Sequence, residues 1–300
     1  MFALQYSEYG GPEVMSLGEA PEPHAGPGEI RIKVAAASVN GIDWKVREGY
    51  MAGGEPLDGV RYPGADAAGV VDEVGDGVEG VTVGDDVFGL GSGTQAEFAV
   101  LRAWAAKPSS VDWGVAGAAG VAVETSERAL RLLELKQGQT IFIDGGAGGV
   151  GAVAVQLAVA ADATVIASAS QDNHDYLREI GATPVLYGLG LVDRVRAIPG
   201  SSVDAVFDVV GKTPIEDLIA LAPEPSKVLS IANFEAAKSG AQVTGGGADS
   251  QGPAALALGA QLLADSRLVI KIQTFPFDRF AEAYRINESG HVRGKIVLVP

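Results

Sequence analysis

A glycine-rich turn between a strand and a helix constrains the fold of this chain more than any other feature. Residues 140–144 are β-branched, aromatic or acidic, and residues 146–151 read Gly-Ala-Gly-Gly-Val-Gly, which fits G-x-G-x-x-G. The apolar run 152–161 then predicts a buried helix. In this arrangement Gly146 permits the tight turn, Gly148 lets the backbone approach a pyrophosphate, and Gly151 allows the helix to pack closely on the strand. The stretch therefore predicts a dinucleotide-binding strand, turn and helix.

The predicted strand before the turn and the predicted helix after it support this interpretation more strongly than the glycines do. Glycine-rich turns are common in a chain with 41 glycines, so the motif alone is weak evidence. A strand before it and a helix after it are the required context. The start of that helix would offer unpaired N–H groups and a positive dipole end to phosphates.

Length and charge limit the classes of protein to consider. Three hundred residues favour about two domains, and 47% hydrophobic residues suffice for sizeable cores. The chain has 38 acidic and 22 basic residues, a formal net charge of −16. Such a surface repels nucleic acid and anionic lipid, so we expect neither a nucleic-acid partner nor a membrane partner.

The chain contains no cysteine, which excludes disulfides, thiol catalysis and cysteine-ligated zinc. Residues 1–6 show neither a basic region nor a long apolar core, so no signal peptide is predicted. The longest apolar stretch, 150–161, is shorter than the roughly 20 residues that span a bilayer. We expect a cytoplasmic protein.

Residues 1–115 have the pattern of a small β domain. Residues 29–35 alternate polar and apolar side chains, as a half-buried strand does. Further short strands separated by glycine turns are predicted at 68–75, 86–90 and 96–101. This spacing favours a small barrel or sandwich.

From residue 115 the pattern changes to alternating helices and strands, which predicts a doubly wound parallel sheet. The predicted strands are 140–144, 164–167, 203–209, 228–231 and 242–244, and the predicted helices are 115–133, 152–161, 173–179 and 215–221. A helix at 253–264, a strand at 268–273, a helix at 278–288 and a strand at 295–300 follow. We expect domains at 1–115 and 116–250, with 251–300 returning to the first.

Several ordered segments resemble the zinc-independent quinone oxidoreductases of the medium-chain dehydrogenase/reductase superfamily, the group that includes zeta-crystallin. These segments are 35–49, 63–75, 83–87, the glycine turn and the closing stretch 288–300. The resemblance implies a GroES-like β-barrel catalytic domain, completed by the C-terminal segment, and an inserted Rossmann domain. It also implies NADPH-dependent reduction of quinones or other conjugated carbonyl compounds. Family members are often homodimers, and the sheet edge near 242–244 is a candidate contact.

The resemblance also predicts that zinc is absent. Zinc alcohol dehydrogenases of the same superfamily have a cysteine where this chain has Asn40 and a histidine where it has Ala65. With both replaced and no cysteine elsewhere, we expect neither a catalytic nor a structural zinc site.

Hydride transfer from a nicotinamide mainly requires that the ring and the acceptor be held close together in a dry site. No Ser/His/Asp arrangement is visible, and the histidines at 24, 174 and 291 are scattered. By resemblance, Asn40 lies beside the nicotinamide ribose or the substrate, with a turn residue as the alternative. Asp43 is either catalytic or a buried carboxylate that holds local backbone or Arg47. Tyr50 either donates to a developing enolate or hydroquinone oxygen or is a packed tyrosine.

Thr125 aligns with a family threonine that contacts the nicotinamide; as the alternative, Thr125 and Ser126 cap the helix that runs to 133. The charged neighbours Glu124 and Glu127 depart from the family's apolar pattern, which leaves the polarity of the site and its substrate open.

The choice of cofactor depends on the end of the second strand, where NAD enzymes carry an acidic residue. Residues 165–170 contain no acid, which leaves room for a 2′-phosphate. The candidate donors to that phosphate are Ser168, Ser170, Asn173 and His174. No lysine or arginine occurs in 165–177, Asp172 could instead serve an NAD ribose, and Ser170 could be a plain N-cap. NADPH is favoured.

The remaining candidates follow later strands. Tyr187 matches a family tyrosine near the adenosine ribose phosphate, with core packing as the alternative. Arg293 and Lys295 either neutralise cofactor charge or form a solvated pair. The cofactor-binding candidates, taken together, are Gly146, Gly148, Gly149, Val150, Gly151, Thr125, Ser168, Ser170, Asn173, His174, Tyr187, Val209, Gly211, Ile231, Asn233, Arg293 and Lys295.

The sequence thus predicts a zinc-free, NADPH-dependent reductase of quinones or conjugated carbonyls that works by direct hydride transfer. One alternative is an enoyl or alkenal reductase that acts on an α,β-unsaturated C=C bond and needs a positioned proton donor. The other is a non-catalytic NADPH-binding protein with a sensing or structural role.

Overall fold

The computed structural model describes residues 1–290 and 292–300, so the histidine at 291 lies outside the described residues. The chain divides into two compact units. Unit 1 comprises Met1–Val121 together with Gly252–Pro300, and unit 2 comprises Ala122–Gln251.

The strands in chain order are β1 (Phe2–Gln5), β2 (Ser16–Glu19), β3 (Ile30–Val39), β4 (Asp66–Val74), β5 (Asp86–Ser92), β6 (Phe98–Ala106), β7 (Thr140–Asp144), β8 (Thr164–Ala169), β9 (Thr183–Leu186), β10 (Ala205–Asp208), β11 (Val228–Ser230), β12 (Gln242–Val243), β13 (Ile272–Pro276) and β14 (Lys295–Val299). The α-helices are α1 (Gly41–Arg47), α2 (Trp113–Gly117), α3 (Gly120–Leu132), α4 (Gly149–Ala160), α5 (His174–Glu179), α6 (Leu191–Arg196), α7 (Ile215–Leu221), α8 (Gly252–Ala264) and α9 (Phe280–Glu288).

Unit 1 is built on a six-stranded sheet with the order β13-β14-β3-β4-β5-β6. Strand β3 also pairs with β6, which closes β3 to β6 into a ring. Alternate residues of β3, Ile30, Ile32 and Val34, point into the core of this ring, as a period of two requires. Residues 30–106 therefore form the small barrel that their strand pattern predicts.

The C-terminal segment contributes to the same sheet. Strand β14 pairs antiparallel with β3 and parallel with β13. Its residues Ile296 and Leu298 pack in a cluster with Leu4 of β1, Val39 of β3 and Tyr284 of α9. The last strand of the chain is thus a central strand of unit 1.

Unit 2 is a six-stranded sheet with the order β12-β11-β10-β7-β8-β9, and each pairing is parallel. Ile141 and Ile143 of β7 face a core shared with α3, α4 and α5, whereas Phe142 faces one shared with α6 and α7. Helices cover both faces, which is why β7 is buried along its whole length. This is a doubly wound sheet, as predicted.

Two predicted elements differ from the structure. The helix expected at 115–133 is two helices, because the N–H of Val121 donates to the carboxylate of Asp66 (2.7 Å) and α3 starts anew there. The strand expected at 268–273 begins four residues later, because pairing with β14 starts at Ile272 opposite Lys295. Helices α1 and α6 were not predicted. Within the described residues, no helix combines the length and apolar character needed to cross a bilayer.

Arg47 connects α1 to the rest of unit 1 and is fully buried. Its Nε donates to the carbonyl oxygen of Gly10 (2.9 Å), and its Nη2 donates to Oε1 of Glu288 (2.6 Å). The guanidinium carbon lies 5.1 Å from the ring centre of Tyr284. A buried arginine of this kind is tolerated because its charge and its donors are matched.

Replacing Arg47 by methionine should destabilise the protein by about 3 kcal/mol or more, because the half-buried acceptors of Gly10 and Glu288 lose the donor that Arg47 supplies from the core. Urea denaturation of the full chain measures this. The control is Arg102→Met, which removes an exposed ion pair with Glu29 and should change stability by less than about 1 kcal/mol. Equal effects of the two substitutions would contradict this account of Arg47.

Candidate active site

Asn40 and Asp43 lie where β3 ends and α1 begins. Oδ2 of Asp43 accepts the backbone N–H of Asn40 (2.8 Å) and the side-chain N–H of Gln95 (3.2 Å). Gln95 in turn accepts the hydroxyl of Tyr284 (2.8 Å). Asp43 therefore holds local backbone, while the hydrogen bonds of Arg47 go elsewhere. These carboxylate contacts fix the position at which Asn40 leaves the strand.

The side-chain amide of Asn40 has a single orientation in this network. Its Nδ2 donates to Oγ of Ser38 (3.0 Å) and to Oδ1 of Asp66 (2.8 Å), so both amide hydrogens are used. Its Oδ1 accepts a hydrogen bond from Nζ of Lys295. Neither amide hydrogen of Asn40 is therefore left for a ligand, so a ligand at Asn40 would meet its oxygen.

Lys295 lies in the core of unit 1, only 4% exposed, so the expected solvated pair with Arg293 is not formed. Its ammonium contacts Ser38 Oγ (3.2 Å) as well as Asn40. Burial lowers the pKa of Lys295, although Asp66 and Asp43 oppose this shift. The pKa of Asp43 is raised to about 7, mainly by burial; the hydrogen bond from the N–H of Asn40 and the charge of Lys295 oppose the rise, and Asp66 adds to it.

Tyr50 and Arg293, the other candidates of unit 1, are exposed and do not belong to the buried group of Asn40, Asp43 and Lys295. Tyr50 is 68% exposed, and its ring meets Trp44 edge-on with centres 5.7 Å apart. Arg293 is exposed. The ring of Tyr50 thus contacts Trp44, and most of its side chain is exposed, so its phenol is open to a ligand.

In unit 2 the glycine turn has a different geometric requirement at each position. Gly145 has φ +87°, and a Cβ there would lie 2.3 Å from the side chain of Val210. A Cβ on Gly151 would lie 2.1 Å from the carbonyl oxygen of Gly145, so only glycine permits this approach of α4 to the turn. At Gly146 the Cβ would meet Ala167 at 2.6 Å.

Gly148 is the exception, because the nearest atom to a Cβ built there is 3.6 Å away. The protein's own packing therefore does not require glycine at this position. Gly148 precedes α4, and the residues around it, Gly149 and Val150, are half-buried. The first N–H groups of a helix have no acceptor within it, so this space in front of α4 fits a phosphate group. Ser126 of α3 anchors the same helix by donating to the carbonyl oxygen of Val150 (3.1 Å).

Serine–aspartate pairs fix the loops at the carboxyl edge of the sheet. The hydroxyl of Ser168 donates to Asp144 and accepts the N–H of Gly145 (2.9 Å). The hydroxyl of Ser230 donates to Asp208 (2.6 Å) and accepts the N–H of Asn233 (2.9 Å). These contacts immobilise the turns that follow β7 and β11.

The carboxylate of Asp208 fixes the backbone of the loop after β10 in a similar way. Its Oδ1 accepts the N–H groups of Val210 (3.0 Å) and Gly211 (2.8 Å). Val209 and Ile231 therefore start loops whose backbone is fixed by buried carboxylate and hydroxyl groups. The side chain of Asn233 accepts the N–H of Glu235 (3.1 Å) and so caps a short 3₁₀ turn.

Asp144 is 1% exposed and stands opposite Asp208 in the strand register. Burial is the main reason that its pKa is raised, and Asp208 adds to the shift. Its Oδ2 is buried without a hydrogen-bond partner among the described residues. Hydrogen bonding to Ser168 and Thr213 opposes this rise in the pKa of Asp144.

The proposed 2′-phosphate donors differ in availability. The hydroxyl of Ser168 is buried and used within the turn, as described above, and Ser170 accepts Nδ2 of Asn173 (3.1 Å). His174 is 8% exposed, and its Nε2 is buried without a partner in the described part of the chain. Tyr187 is 50% exposed, so the core-packing alternative is wrong for it.

Ser170 and Tyr187 lie near each other at this edge of the sheet. They directly follow Ala169 of β8 and Leu186 of β9, which are register partners. The structure therefore places Ser170 and Tyr187 on adjacent loops, where β8 and β9 end.

Thr125 lies inside α3, five residues after its start, so the prediction that Thr125 and Ser126 cap this helix is wrong. Its Oγ1 accepts Nη2 of Arg128 (3.4 Å). Arg128 also makes a two-point ion pair with Glu124 (2.9 and 3.2 Å), and Arg131 lies 3.5 Å from Glu127. The acidic residues of this helix are thus balanced one turn later.

Sequence reasoning missed most of the buried polar residues that position these candidates. They are Ser38, Asp66, Gln95, Arg128, Asp144, Asp208, Ser230 and Tyr284. The sequence signal for the buried acids was an aspartate at the first or last residue of an apolar strand. Asp66 begins β4, Asp144 ends β7 and Asp208 ends β10. Among the described residues there is no group of three or more His, Cys, Asp or Glu side chains able to hold a metal ion.

Comparison with known proteins places this architecture in a family. The alcohol dehydrogenase GroES-like domain family matches residues 26–111, and the zinc-binding dehydrogenase family matches residues 180–298. An NADPH-dependent alkenal/one oxidoreductase from Arabidopsis thaliana, described as chloroplastic, is 30% identical over the whole chain, which covers 80% of that relative. A chloroplast envelope quinone oxidoreductase homolog from the same plant is 32% identical over 77% of the chain and 74% of the relative.

Solved structures agree with the sequence matches. The structure of the quinone oxidoreductase from Coxiella burnetii aligns with a TM-score of 0.85 at 30% identity, over 100% of this chain and 99% of that one. These matches define an alcohol-dehydrogenase-type enzyme with a GroES-like domain and a Rossmann-type parallel sheet. The chain belongs to the quinone oxidoreductases of the medium-chain dehydrogenase/reductase superfamily. The predicted family and fold class are confirmed.

Substituting valine for Gly148 should weaken NADPH binding by about 10-fold or more, since the side chain would fill the space in front of α4. The melting temperature should change little, because a Cβ at this position meets no protein atom closer than 3.6 Å. Fluorescence titration and thermal denaturation measure the two effects.

The matched control is Gly151→Val, whose side chain would overlap the carbonyl oxygen of Gly145. This variant should lose stability whether or not a cofactor is added. Unchanged NADPH affinity in Gly148→Val would contradict the assignment of the phosphate site.

Proposed function

We propose that this protein is an NADPH-dependent reductase of quinones or related conjugated carbonyl compounds, acting by direct hydride transfer without zinc. The observation that carries the proposal is the turn before α4, where a Cβ would clash at Gly145, Gly146 and Gly151 but would make only an ordinary contact of 3.6 Å at Gly148. The relative named NADPH-dependent alkenal/one oxidoreductase supports the choice of cofactor and of substrate class.

Unit 2 supplies the groups suited to hold the dinucleotide. The pyrophosphate would bind at Gly148, Gly149 and Val150, where the first N–H groups of α4 are half-buried. Ser170, Asn173 and Tyr187 are the candidate contacts of the adenosine ribose and its 2′-phosphate. When bound, the dihydronicotinamide supplies the hydride.

The nicotinamide half would meet the loops fixed by Asp208 and Ser230. Val209, Gly211, Ile231 and Asn233 lie on these loops, whose N–H groups already have internal acceptors. We propose that their role is to hold the ring at a fixed place, since immobile loops lower the entropy lost on reaching a reactive geometry. Thr125 offers a hydroxyl that Arg128 keeps oriented.

In unit 1 we assign a different role to each of the three residues predicted as catalytic. Asn40 presents its carbonyl oxygen, which accepts a hydrogen bond from a ligand hydroxyl or N–H group, because both of its amide hydrogens are used. The exposed phenol of Tyr50 is the candidate proton donor to a developing enolate or hydroquinone oxygen. Asp43 acts on the backbone of Asn40 and would not touch the substrate.

An alkenal or enone is as suitable an acceptor as a quinone, and the relative named alkenal/one oxidoreductase favours keeping both in one proposal. With an enone the hydride goes to the β-carbon and a proton to the α-carbon. With a quinone both oxygens end protonated. One proton is consumed per hydride in each case.

Purified protein should oxidise NADPH in the presence of benzoquinones, naphthoquinones or alkenals, followed by the loss of absorbance of the reduced nicotinamide. The kcat/KM should be about 10-fold or more higher with NADPH than with NADH, because donors near Ser170 match the 2′-phosphate and no acid occupies that strand end. Chelator treatment should leave the rate unchanged, in keeping with the zinc-free proposal. NADPH binding without turnover of any acceptor would contradict the proposal and favour a sensing role.

We further propose a cytoplasmic homodimer with domains at 1–115 and 116–250 and a C-terminal return at 251–300. Strand β12 supports the dimer contact, since it is an edge strand of the sheet of unit 2 and its Gln242 and Val243 are half-buried. An edge strand offers unpaired backbone groups to a second copy.

Light scattering after size exclusion should therefore give twice the chain mass. Val243→Pro should shift the protein towards the monomer, because proline removes an N–H group from the edge. A monomeric wild-type protein would rule out this contact.

A further inference from the structure

Two buried carboxylates and one buried ammonium surround the end of β3. Asp66 is fully buried, and Asp43 and Lys295 are 7% and 4% exposed. An unmatched charge at this depth is strongly unfavourable, so the carboxylates require a cation close by. Lys295 meets that requirement from β14, the last strand of the chain.

The contacts of Lys295 are directed to the side chain of Asn40. Its ammonium donates to Oδ1 of Asn40 and to Oγ of Ser38, and the hydroxyl of Ser38 donates to Asp66. The side-chain amide of Asn40 donates in turn to Ser38 and Asp66, which closes this network of hydrogen bonds. Each member therefore restrains the amide of Asn40 from a different side, and rotating this amide would set its NH₂ group against the ammonium.

We propose that Lys295 is a positioning residue, whose buried ammonium fixes the amide of Asn40 with its oxygen available to a ligand and balances the charge of Asp43 and Asp66. This inference rests on the proposed reductase function for its kinetic consequence. It replaces the expectation that Lys295 binds cofactor phosphate, because the ammonium is used inside unit 1. In this chain the ammonium of Lys295 contacts Asn40. Asn40 occupies the position at which zinc enzymes of the superfamily have a cysteine.

The ammonium of Lys295 also lowers the pKa of Asp43. The titratable groups that face it are Asp66 on β4, Lys295 on β14, Tyr284 on α9 and Tyr6 near β1. Asp43 accepts two N–H groups, so the arrangement around Asn40 is built for its ionised form. Its pKa of about 7 is held down by Lys295, and removing that ammonium must raise it.

The first test compares Lys295→Met with the wild type, with Lys33→Met as control, since Lys33 is exposed on the neighbouring strand β3. Lys295→Met should lower kcat by about 100-fold through misplacement of Asn40, with the dissociation constant of NADPH unchanged within about two-fold. Lys295→Arg should recover part of kcat, and Lys33→Met should behave as the wild type. A loss of NADPH affinity with kcat unchanged would instead identify Lys295 as a phosphate ligand and overturn the proposal.

A double-mutant cycle tests whether Lys295 acts through Asn40. Adding Lys295→Met to Asn40→Ala should cause little further loss of kcat, because the amide to be positioned is already gone. Full additivity of the two losses would contradict the proposal. If Lys295→Met does not fold, Lys295→Met combined with Asp66→Asn removes one charge of each sign, and the same loss of kcat is expected.

A readout independent of turnover separates this inference from the proposed function. NMR titration of carboxyl-labelled aspartate, assigned with Asp43→Asn, should show Asp43 titrating near pH 7 in the wild type and at higher pH in Lys295→Met. The same upward shift should appear in the acid limb of the pH–rate profile, because activity requires ionised Asp43. A midpoint that does not move would overturn the proposal even in an enzyme that reduces quinones with NADPH.

Discussion

Asp66, Asp144 and Asp208 are at most 1% exposed, and each accepts a hydrogen bond from a serine hydroxyl on a neighbouring strand. A carboxylate removed from water in this way requires donors, and here the donors include backbone N–H groups of the next element as well. Asp66 takes the N–H of Val121 at the start of α3, and Asp208 takes that of Gly211. Buried acids thus determine where loops and helices begin in both units, and the candidate site residues lie on those loops.

The two units solve the problem of buried negative charge differently. In unit 1 the ammonium of Lys295 contacts Ser38 and Asn40, which in turn donate to Asp66. In unit 2 burial and the neighbouring Asp208 raise the pKa of Asp144, and hydrogen bonding to Ser168 and Thr213 opposes this rise. We infer that the arrangement in unit 1 holds its buried polar residues rigidly in place.

The sequence predicted the fold where the signal was local. The strand at 140–144 matches β7 in full, because its apolar run is bounded by a turn and its neighbours bury both faces. The predicted strand at 268–273 was wrong because its position depends on pairing with β14, which the local pattern does not contain. Family resemblance located Asn40, and the glycine spacing together with the flanking strand and apolar run located the turn and α4.

The candidate site was less predictable because its contacts join distant positions. Lys295 and Asn40 are 255 residues apart, so neither residue's neighbours signal the other. A lone lysine is usually exposed, and the solvated alternative followed from that tendency. Likewise, the sequence does not show that Glu124 and Glu127 are compensated. In α3, Arg128 and Arg131 lie four residues after them on the same face and pair with them.

The central claim is that the protein transfers a hydride directly from NADPH to a conjugated acceptor without a metal. The most direct test supplies chelator-treated protein with NADPH that carries deuterium at the transferable position, together with an alkenal, and determines the product by mass spectrometry. The account predicts one deuterium on the β-carbon of the saturated product, with the α-hydrogen drawn from water. A product without deuterium on the β-carbon, or turnover only after a metal is restored, would contradict it.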